Sequence, residues 1–162
     1  MKEINLITTY KELESANELP LHLQQLLQKA KEAIGDAYAP YSEFNVGAAA
    51  LLENGAIVKG SNQENASSPV GICAERVTLS AVSSLHPNVA VVAMAISAKP
   101  KKHSLNKPVA PCGICRQTIL EYEERFQKNI ELVLQGESGK IIWLQDAKDL
   151  LPLSFGKDDL SI

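Results

Sequence analysis

The chain has 162 residues, of which 45% are hydrophobic and 22% are charged, a balance typical of one globular domain. Its formal net charge of -3 argues against a protein that binds nucleic acid by neutralising many phosphates. No apolar run approaches the roughly 18 residues of a membrane span, and the first residues lack the pattern of a secretory signal. We therefore expect a cytoplasmic protein that has neither a nucleic-acid partner nor a membrane partner.

The first third of the chain contains an extension, a helix and a hairpin. Residues 1–18 show no clear hydrophobic period, and we interpret them as an N-terminal extension to a single domain over residues 19–162. Beyond Pro20, apolar residues recur at helical spacing as far as Gly35, which predicts an amphipathic helix. Two apolar runs, 46–52 and 56–58, flank Asn54-Gly55, and this pattern predicts a β-hairpin.

The remainder alternates between apolar runs and helical stretches. A valine-rich run over residues 89–98 predicts a strand buried on both faces, and runs 130–134 and 141–144 predict two more strands. Helices are expected from about Cys73 to Ser84 and from about Cys112 to Phe126. The stretch Lys99 to Lys107 carries four lysines and is interpreted as a solvated loop rather than an anion-binding patch. Together these elements predict an α/β fold in which helices sandwich a five-stranded sheet.

The three cysteines are the most informative residues of the chain. They occur as Cys73-Ala74-Glu75 and, 39 residues after Cys73, as Cys112-Gly113-Ile114-Cys115. An odd number of cysteines in an apparently cytosolic chain favours metal binding or catalysis over a disulfide framework. Three thiolates leave one corner of a tetrahedral zinc ion open, which is the arrangement of a catalytic site. Glu75 lies two residues after a ligand and is placed to reach a water at that corner.

Both halves of this motif are predicted to begin a helix. A helix N-terminus stabilises negative charge, so these positions should lower the pKa values of the thiols. Arg76, next to Glu75, is a candidate hydrogen-bond donor to a ligand sulfur. The sequence thus predicts thiolate ligands whose excess negative charge is offset by two helix ends and one guanidinium group.

Five blocks of sequence, in order, carry a resemblance to one enzyme family. They are Pro40–Ala49, Asn62–Ala66, Gly71–Arg76, Pro111–Gln117 and Leu150–Gly156. In these blocks the chain resembles the small homo-oligomeric, zinc-dependent cytidine deaminases, from about Tyr38 to Leu160, which is roughly three-quarters of its length. The resemblance implies a three-layer α/β/α sandwich with a central five-stranded mixed sheet, one zinc ion (Zn²⁺) per subunit, and a homotetramer or a dimer.

The resemblance also implies a role for individual residues. Cys73, Cys112 and Cys115 would hold the metal, and Glu75 would be the catalytic acid and base. Phe44 would pack on the pyrimidine, Asn62 and Glu64 would bind the ribose hydroxyls, the Ala74 N–H would hold the base carbonyl, and Phe155 would cover the base in a neighbouring subunit. Ser68 departs from the pattern, since many relatives carry an aromatic residue at this position, which leaves in doubt any subunit contact that such a ring would make.

The implied reaction is the hydrolytic deamination of cytidine and deoxycytidine to uridine and deoxyuridine, with release of ammonia, in pyrimidine salvage. A related zinc enzyme acting on a modified cytosine nucleoside, as blasticidin deaminases do, stays open, although Asn62 and Glu64 favour an ordinary ribose. A structural zinc module would need a fourth ligand, and the histidines, His22, His86 and His103, lie outside ligand-like spacing. Editing of polynucleotides is disfavoured by the acidic balance and by the lack of an aromatic and basic stretch.

Overall fold

The structure is a computed structural model that describes residues 1–160, and it contains three helices and six strands in this range. The helices are α1 (Leu21–Ala33), α2 (Ala74–Leu85) and α3 (Gly113–Phe126); the strands are β1 (Lys11–Leu13), β2 (Phe44–Leu52), β3 (Ile57–Ser61), β4 (Val91–Pro100), β5 (Glu131–Gln135) and β6 (Ile141–Leu144). The predicted helices and strands are all present, with ends shifted by a few residues. No helix of the described residues is long and apolar enough to cross a membrane.

The strands form one mixed sheet in the order β1-β6-β5-β4-β2-β3. Only β4 and β5 are parallel, and the other neighbours are antiparallel. Helix α1 packs on one face through leucines such as Leu23 and Leu27, whereas α2 and α3 cover the other face through Leu79, Val82 and Ile119. The predicted three-layer α/β/α class is confirmed, with six strands in the sheet rather than five.

The sixth strand comes from the N-terminal extension. Lys11 to Leu13 pair with Trp143 to Ile141 in antiparallel register, so that β1 covers the edge that β6 would otherwise expose. The ammonium group of Lys11 also lies 4.2 Å from the centre of the Trp143 ring. A strand of three residues, two of them charged, has too little alternation for a sequence pattern to reveal it.

The predicted hairpin forms, with a three-residue loop in place of a two-residue turn. The Gly55 N–H donates to the Leu52 carbonyl at 2.9 Å, and Gly55 has a φ of 84°, which a glycine adopts without strain. The Leu52 N–H then donates to the Ala56 carbonyl at 2.9 Å. This is the type I turn followed by a left-handed glycine that commonly joins antiparallel strands.

The topology brings three chain segments to one edge of the sheet, namely the edge at which β2 begins and β3 and β4 end. Phe44, at the start of β2, pairs with Pro100, at the end of β4, and Gly47 pairs with Ser61, at the end of β3. The chain leaves this edge from β3 toward α2 and from β4 toward α3, so both helices begin near it. The fold therefore gathers two helix N-termini beside the first residues of β2.

Candidate active site and metal centre

The three cysteine thiols meet at this edge. The Sγ atoms of Cys73 and Cys112 lie 3.9 Å apart, and those of Cys112 and Cys115 lie 3.4 Å apart. All three sulfur atoms are within 4.8 Å of one another. A tetrahedral zinc ion with Zn–S bonds of about 2.3 Å requires sulfur atoms about 3.8 Å apart. The donor set and its spacing therefore fit one zinc ion.

The metal-binding group contains no other side chain that could act as a ligand. Among residues 1–160, no histidine or carboxylate joins the three thiols in a group with ligand spacing. His22, for example, has its Nε2 3.9 Å from an oxygen of Glu131 instead. Three protein ligands suit an open, catalytic zinc site, and a structural module would close with four. The described residues thus disfavour the structural-module alternative.

The helix ends hold the thiols in place and stabilise their charge. Cys73 is the N-cap of α2 and Cys112 is the N-cap of α3, and Cys115 lies buried in the first turn of α3. The unpaired N–H groups of a first helical turn carry a partial positive charge that stabilises a thiolate. Arg76, in the first turn of α2, donates from Nη2 to the Gly71 carbonyl at 3.2 Å, which keeps its charge near Cys73.

The pKa values of the thiols are shifted in opposite directions. A hydrogen bond from the Cys115 thiol, with contributions from Cys112 and Arg76, lowers the pKa of the Cys73 thiol to about 6. The same hydrogen bond, together with burial, raises the pKa of the Cys115 thiol. The lowered pKa of Cys73 favours the thiolate form that a zinc ligand needs, and a divalent ion would replace the remaining thiol protons.

A cavity of about 250 Å³ opens beside the thiols. Its lining comprises Ser42, Phe44, Val46, Asn62, Cys73, Ala74, Glu75, Ile96, Val109, Ala110 and Cys112. Glu75 is only 4% exposed, and burial raises the pKa of its carboxyl group, an effect to which the charge of Cys73 adds. A carboxyl group with a raised pKa, next to a metal-binding cluster, is suited to move protons near neutral pH.

The candidate substrate contacts divide into two groups. Phe44, Asn62 and Ala74 line the cavity, as expected. Glu64 lies beside it, where its Oε2 accepts from the Tyr41 N–H at 2.8 Å. Phe155 does not line the cavity of its own chain, and it is 58% exposed on the C-terminal segment. Its predicted place over the base of a neighbouring subunit stays a prediction.

Several lining residues were not found from the sequence. Val109 and Ala110 directly precede Pro111, so their place in the wall follows once that motif is at the site. Ser42 and Val46 lie on either side of Phe44 in the chain, and their proximity to it was the only available signal. Ile96, in the middle of β4, has the pattern of any buried strand residue, so nothing in the sequence distinguishes it.

Three zinc-compatible thiols lie at two helix N-termini of a three-layer α/β fold, next to a buried carboxyl group. This combination is characteristic of the zinc-dependent deaminases. Residues 21–128 match the family described as the cytidine and deoxycytidylate deaminase zinc-binding region. The chain belongs to this family.

Individual relatives are similar to this chain in sequence and in structure. A cytidine deaminase of Halalkalibacterium halodurans is 38% identical over 138 residues, which is 85% of this chain and 97% of the relative. One from Mycobacterium tuberculosis is 37% identical over 131 residues, covering 81% of this chain and 87% of the relative. The crystal structure of a cytidine deaminase from Burkholderia pseudomallei is similar with a TM-score of 0.72 and 35% identity, covering 85% of this chain and all (100%) of that one. The similarity therefore extends over nearly the whole length of these enzymes.

Proposed function

We propose that this protein is a cytidine deaminase that hydrolyses cytidine and deoxycytidine to uridine and deoxyuridine and releases ammonia, a step of pyrimidine salvage. The observation that carries the proposal is the position of Glu75, a buried residue that lines the same cavity as Cys73 and Cys112, two of the three zinc-compatible cysteines. Membership of the deaminase family and the likeness to the cytidine deaminases above support it.

Cys73, Cys112 and Cys115 would hold one zinc ion. Zinc held there would act as a Lewis acid that lowers the pKa of a water molecule and so makes hydroxide available for attack at C4 of cytosine. The remaining chemistry would belong to Glu75, which would take one proton of the water and deliver it to N3. It would then take the second proton from the hydroxyl group added at C4, as the C4=O bond forms, and pass it to the amine, which departs as ammonia when the C4–N bond breaks. Water and cytidine are thereby converted to uridine and ammonia with no net change in protons on the carboxyl group.

Other residues in the cavity and beside it would bind and orient the nucleoside. The Ala74 N–H, at the first position of α2, has no partner within the helix and suits the carbonyl oxygen of the base. Phe44 would pack on the flat ring, while Val46 and Ile96 exclude water from it. Asn62 and Glu64 would bind the ribose hydroxyls, and Arg76 would offset the charge of the thiolate ligands.

Assembly and compartment form part of the same proposal. On the outer side of α3, Ile114 is 63% exposed, and Gln117 donates from Nε2 to the Phe155 carbonyl at 2.8 Å, which places Phe155 beside it. Such an apolar surface suits contact with a second copy, and we propose a homotetramer in which Phe155 reaches a neighbouring site. Light scattering coupled to gel filtration measures the assembly, and a monomer would contradict the proposed tetramer.

We also propose a cytoplasmic location, because thiol ligands suit a reducing compartment such as the cytoplasm.

The test of the reaction combines metal content with a panel of substrates. Purified protein is expected to contain about one zinc per chain and to release ammonia from cytidine and deoxycytidine much faster than from free cytosine or a blasticidin-type nucleoside. Preference for the nucleoside antibiotic would instead assign the protein to the related class of drug-modifying deaminases. Zinc-loaded protein that releases no ammonia from any cytosine nucleoside would overturn the proposal.

A further inference from the structure

The side chain of Asn62 joins two strands at the point where their backbone pairing ends. The last residue pair of β2 and β3 is Gly47 with Ser61, and one further backbone bond follows it, from the Asn62 N–H to the Val46 carbonyl at 3.1 Å. There the Val46 N–H donates to Asn62 Oδ1 at 2.8 Å, and Asn62 Nδ2 donates to the Phe44 carbonyl at 2.9 Å. The amide thus continues the ladder as a peptide group would, and it fixes the backbone on both sides of residue 45.

Glu64 holds the chain on the other side of Phe44. Its Oε2 accepts from the Tyr41 N–H at 2.8 Å and from the Ser42 N–H at 3.3 Å. Hydrogen bonds that this carboxyl group accepts from the Ser42 hydroxyl and from the Tyr41 N–H also lower its pKa, which favours the ionised, accepting form. One carboxylate thereby anchors two successive backbone N–H groups.

Between these two anchors the backbone is strained. Glu43 has a φ of 57°, in the left-handed region that residues other than glycine adopt only at a cost in free energy. A residue keeps such a conformation only where its surroundings hold it. The Glu43 N–H donates to the Ala39 carbonyl at 3.0 Å, and the Glu43 carbonyl accepts from the Lys101 N–H at 2.9 Å. Glu64 and Asn62 add to this support, because their bonds hold the residues directly before and directly after Glu43.

We propose that Asn62 and Glu64 are positioning residues for the aromatic wall of the cavity, beyond any contact they make with a sugar. They hold the Tyr41–Val46 segment, and through it they set the place of the Phe44 ring against the base. Each side chain retains donor or acceptor capacity for a ribose hydroxyl, so the two roles are compatible. The inference rests on the proposed function, since Phe44 is taken to pack on a cytosine ring.

A substrate without the 2′- and 3′-hydroxyls separates sugar binding from positioning of the Phe44 ring. Asn62→Ala and Glu64→Ala are compared with the parent protein on cytidine and on 2′,3′-dideoxycytidine, as kcat/KM or, where turnover is slow, as an inhibition constant against cytidine. Positioning predicts that both variants lose at least about tenfold with either compound, because a displaced ring weakens binding of the base itself. Loss that is confined to cytidine, with dideoxycytidine unchanged within about twofold, overturns the inference.

Conservative and neighbouring variants exclude a general loss of structure. Glu64→Gln keeps an oxygen that can accept from Tyr41 and Ser42, so it should rescue dideoxycytidine where Glu64→Ala does not. Gln63→Ala is the matched control, since Gln63 donates to the Ser61 hydroxyl at 3.1 Å and does not line the cavity, and it should behave as the parent. Zinc content and melting temperature are recorded for every variant.

A readout without substrate keeps the inference independent of the reaction. In ligand-free protein, hydrogen exchange at the Val46 amide should accelerate at least about tenfold in Asn62→Ala and stay unchanged in Gln63→Ala. Unchanged exchange at Val46 in Asn62→Ala overturns the positioning role, whether or not cytidine is deaminated. Faster exchange in a protein that fails to deaminate cytidine would leave the anchoring intact and remove only the proposed function.

Discussion

The Sγ atoms of Cys73 and Cys112 lie 3.9 Å apart, although 39 residues separate them in the chain. Cys73 occupies the N-cap position of α2 and Cys112 that of α3, so the distance is set by how these two helices begin at the same sheet edge. A metal ion at this point would link the first turns of two helices that are otherwise joined by packing and, farther along, by the hydrogen bond from the Tyr122 hydroxyl to the Leu79 carbonyl at 2.6 Å. Zinc binding should therefore affect both activity and stability.

Replacing Cys115 by serine should remove the zinc. Cys115 is buried, and a serine hydroxyl is a much poorer zinc ligand than a thiolate. We expect metal content to fall from about one to below about 0.1 zinc per chain, together with a lower melting temperature, measured by atomic absorption and by calorimetry. Ile114→Ala, an exposed neighbour between two of the thiols, should retain the metal. Full zinc occupancy in Cys115→Ser would exclude Cys115 as a ligand.

Replacing Glu75 by glutamine should abolish proton transfer and spare the metal. The amide fits the same buried space but cannot carry a proton between water, N3 and the amine, and loss of a general acid and base costs about 100-fold or more. Deamination of cytidine is followed by ammonia release, with zinc measured on the same sample. Glu53→Gln, an exposed carboxyl group in the hairpin loop, serves as the control. Near-normal turnover in Glu75→Gln would remove Glu75 from its role.

Glu123 should make the stability of the fold depend on pH. This buried carboxyl group on α3 accepts from the N–H groups of Ile130 and Ala147, and burial raises its pKa from an ordinary 4.5 to about 7. The folded state therefore holds this proton more tightly than the unfolded state does, so the stability that it contributes is complete below pH 4.5 and is lost as the pH rises through about 7.

Glu123→Gln isolates this contribution. The amide oxygen can still accept from both N–H groups and never ionises, so the free energy of unfolding should change less between pH 5 and pH 8 than in the parent protein. The variant should be more stable than the parent at pH 8, as measured by urea denaturation across that range. Glu121→Gln, exposed on the same helix, should leave the pH profile unchanged. An identical profile in Glu123→Gln would show that Glu123 ionises normally.

Adding one methyl group at Gly47 should destabilise the protein. A Cβ atom there would lie 2.1 Å from the Ala30 carbonyl oxygen, because β2 passes directly against the backbone of α1. Overpacking of this kind costs about 1–3 kcal/mol, which corresponds to a loss of about 2–12 °C in melting temperature for a chain of this size. At Gly35 a Cβ atom meets nothing within 4 Å, so Gly35→Ala is the matched control. Equal melting temperatures for the two variants would contradict the close packing.

The extension should contribute to the fold and not to the reaction. We propose that residues 1–18 are an accessory to the domain over residues 19–162, because β1 covers the edge of β6 and no residue before Ser42 lines the cavity. Deleting residues 1–14 exposes the backbone of an apolar edge strand, so we expect a lower melting temperature and aggregation by light scattering. Deamination per bound zinc should stay within about twofold. A large loss of activity in soluble, zinc-loaded material would give the extension a role at the site.

The sequence by itself determined the kind of each main element, the order of the elements and the metal-binding group. These properties depend on local signals: hydrophobic period, a glycine in a turn, a proline before a helix, and cysteines spaced for zinc. Only the tertiary structure decided that Glu64 and Asn62 bond to the backbone of the Tyr41–Val46 segment, that Glu123 is buried, and that Lys11–Leu13 extend the sheet. A side chain's hydrogen-bond partners and burial are set by segments distant in the chain, and no local pattern records which of them will be adjacent after folding.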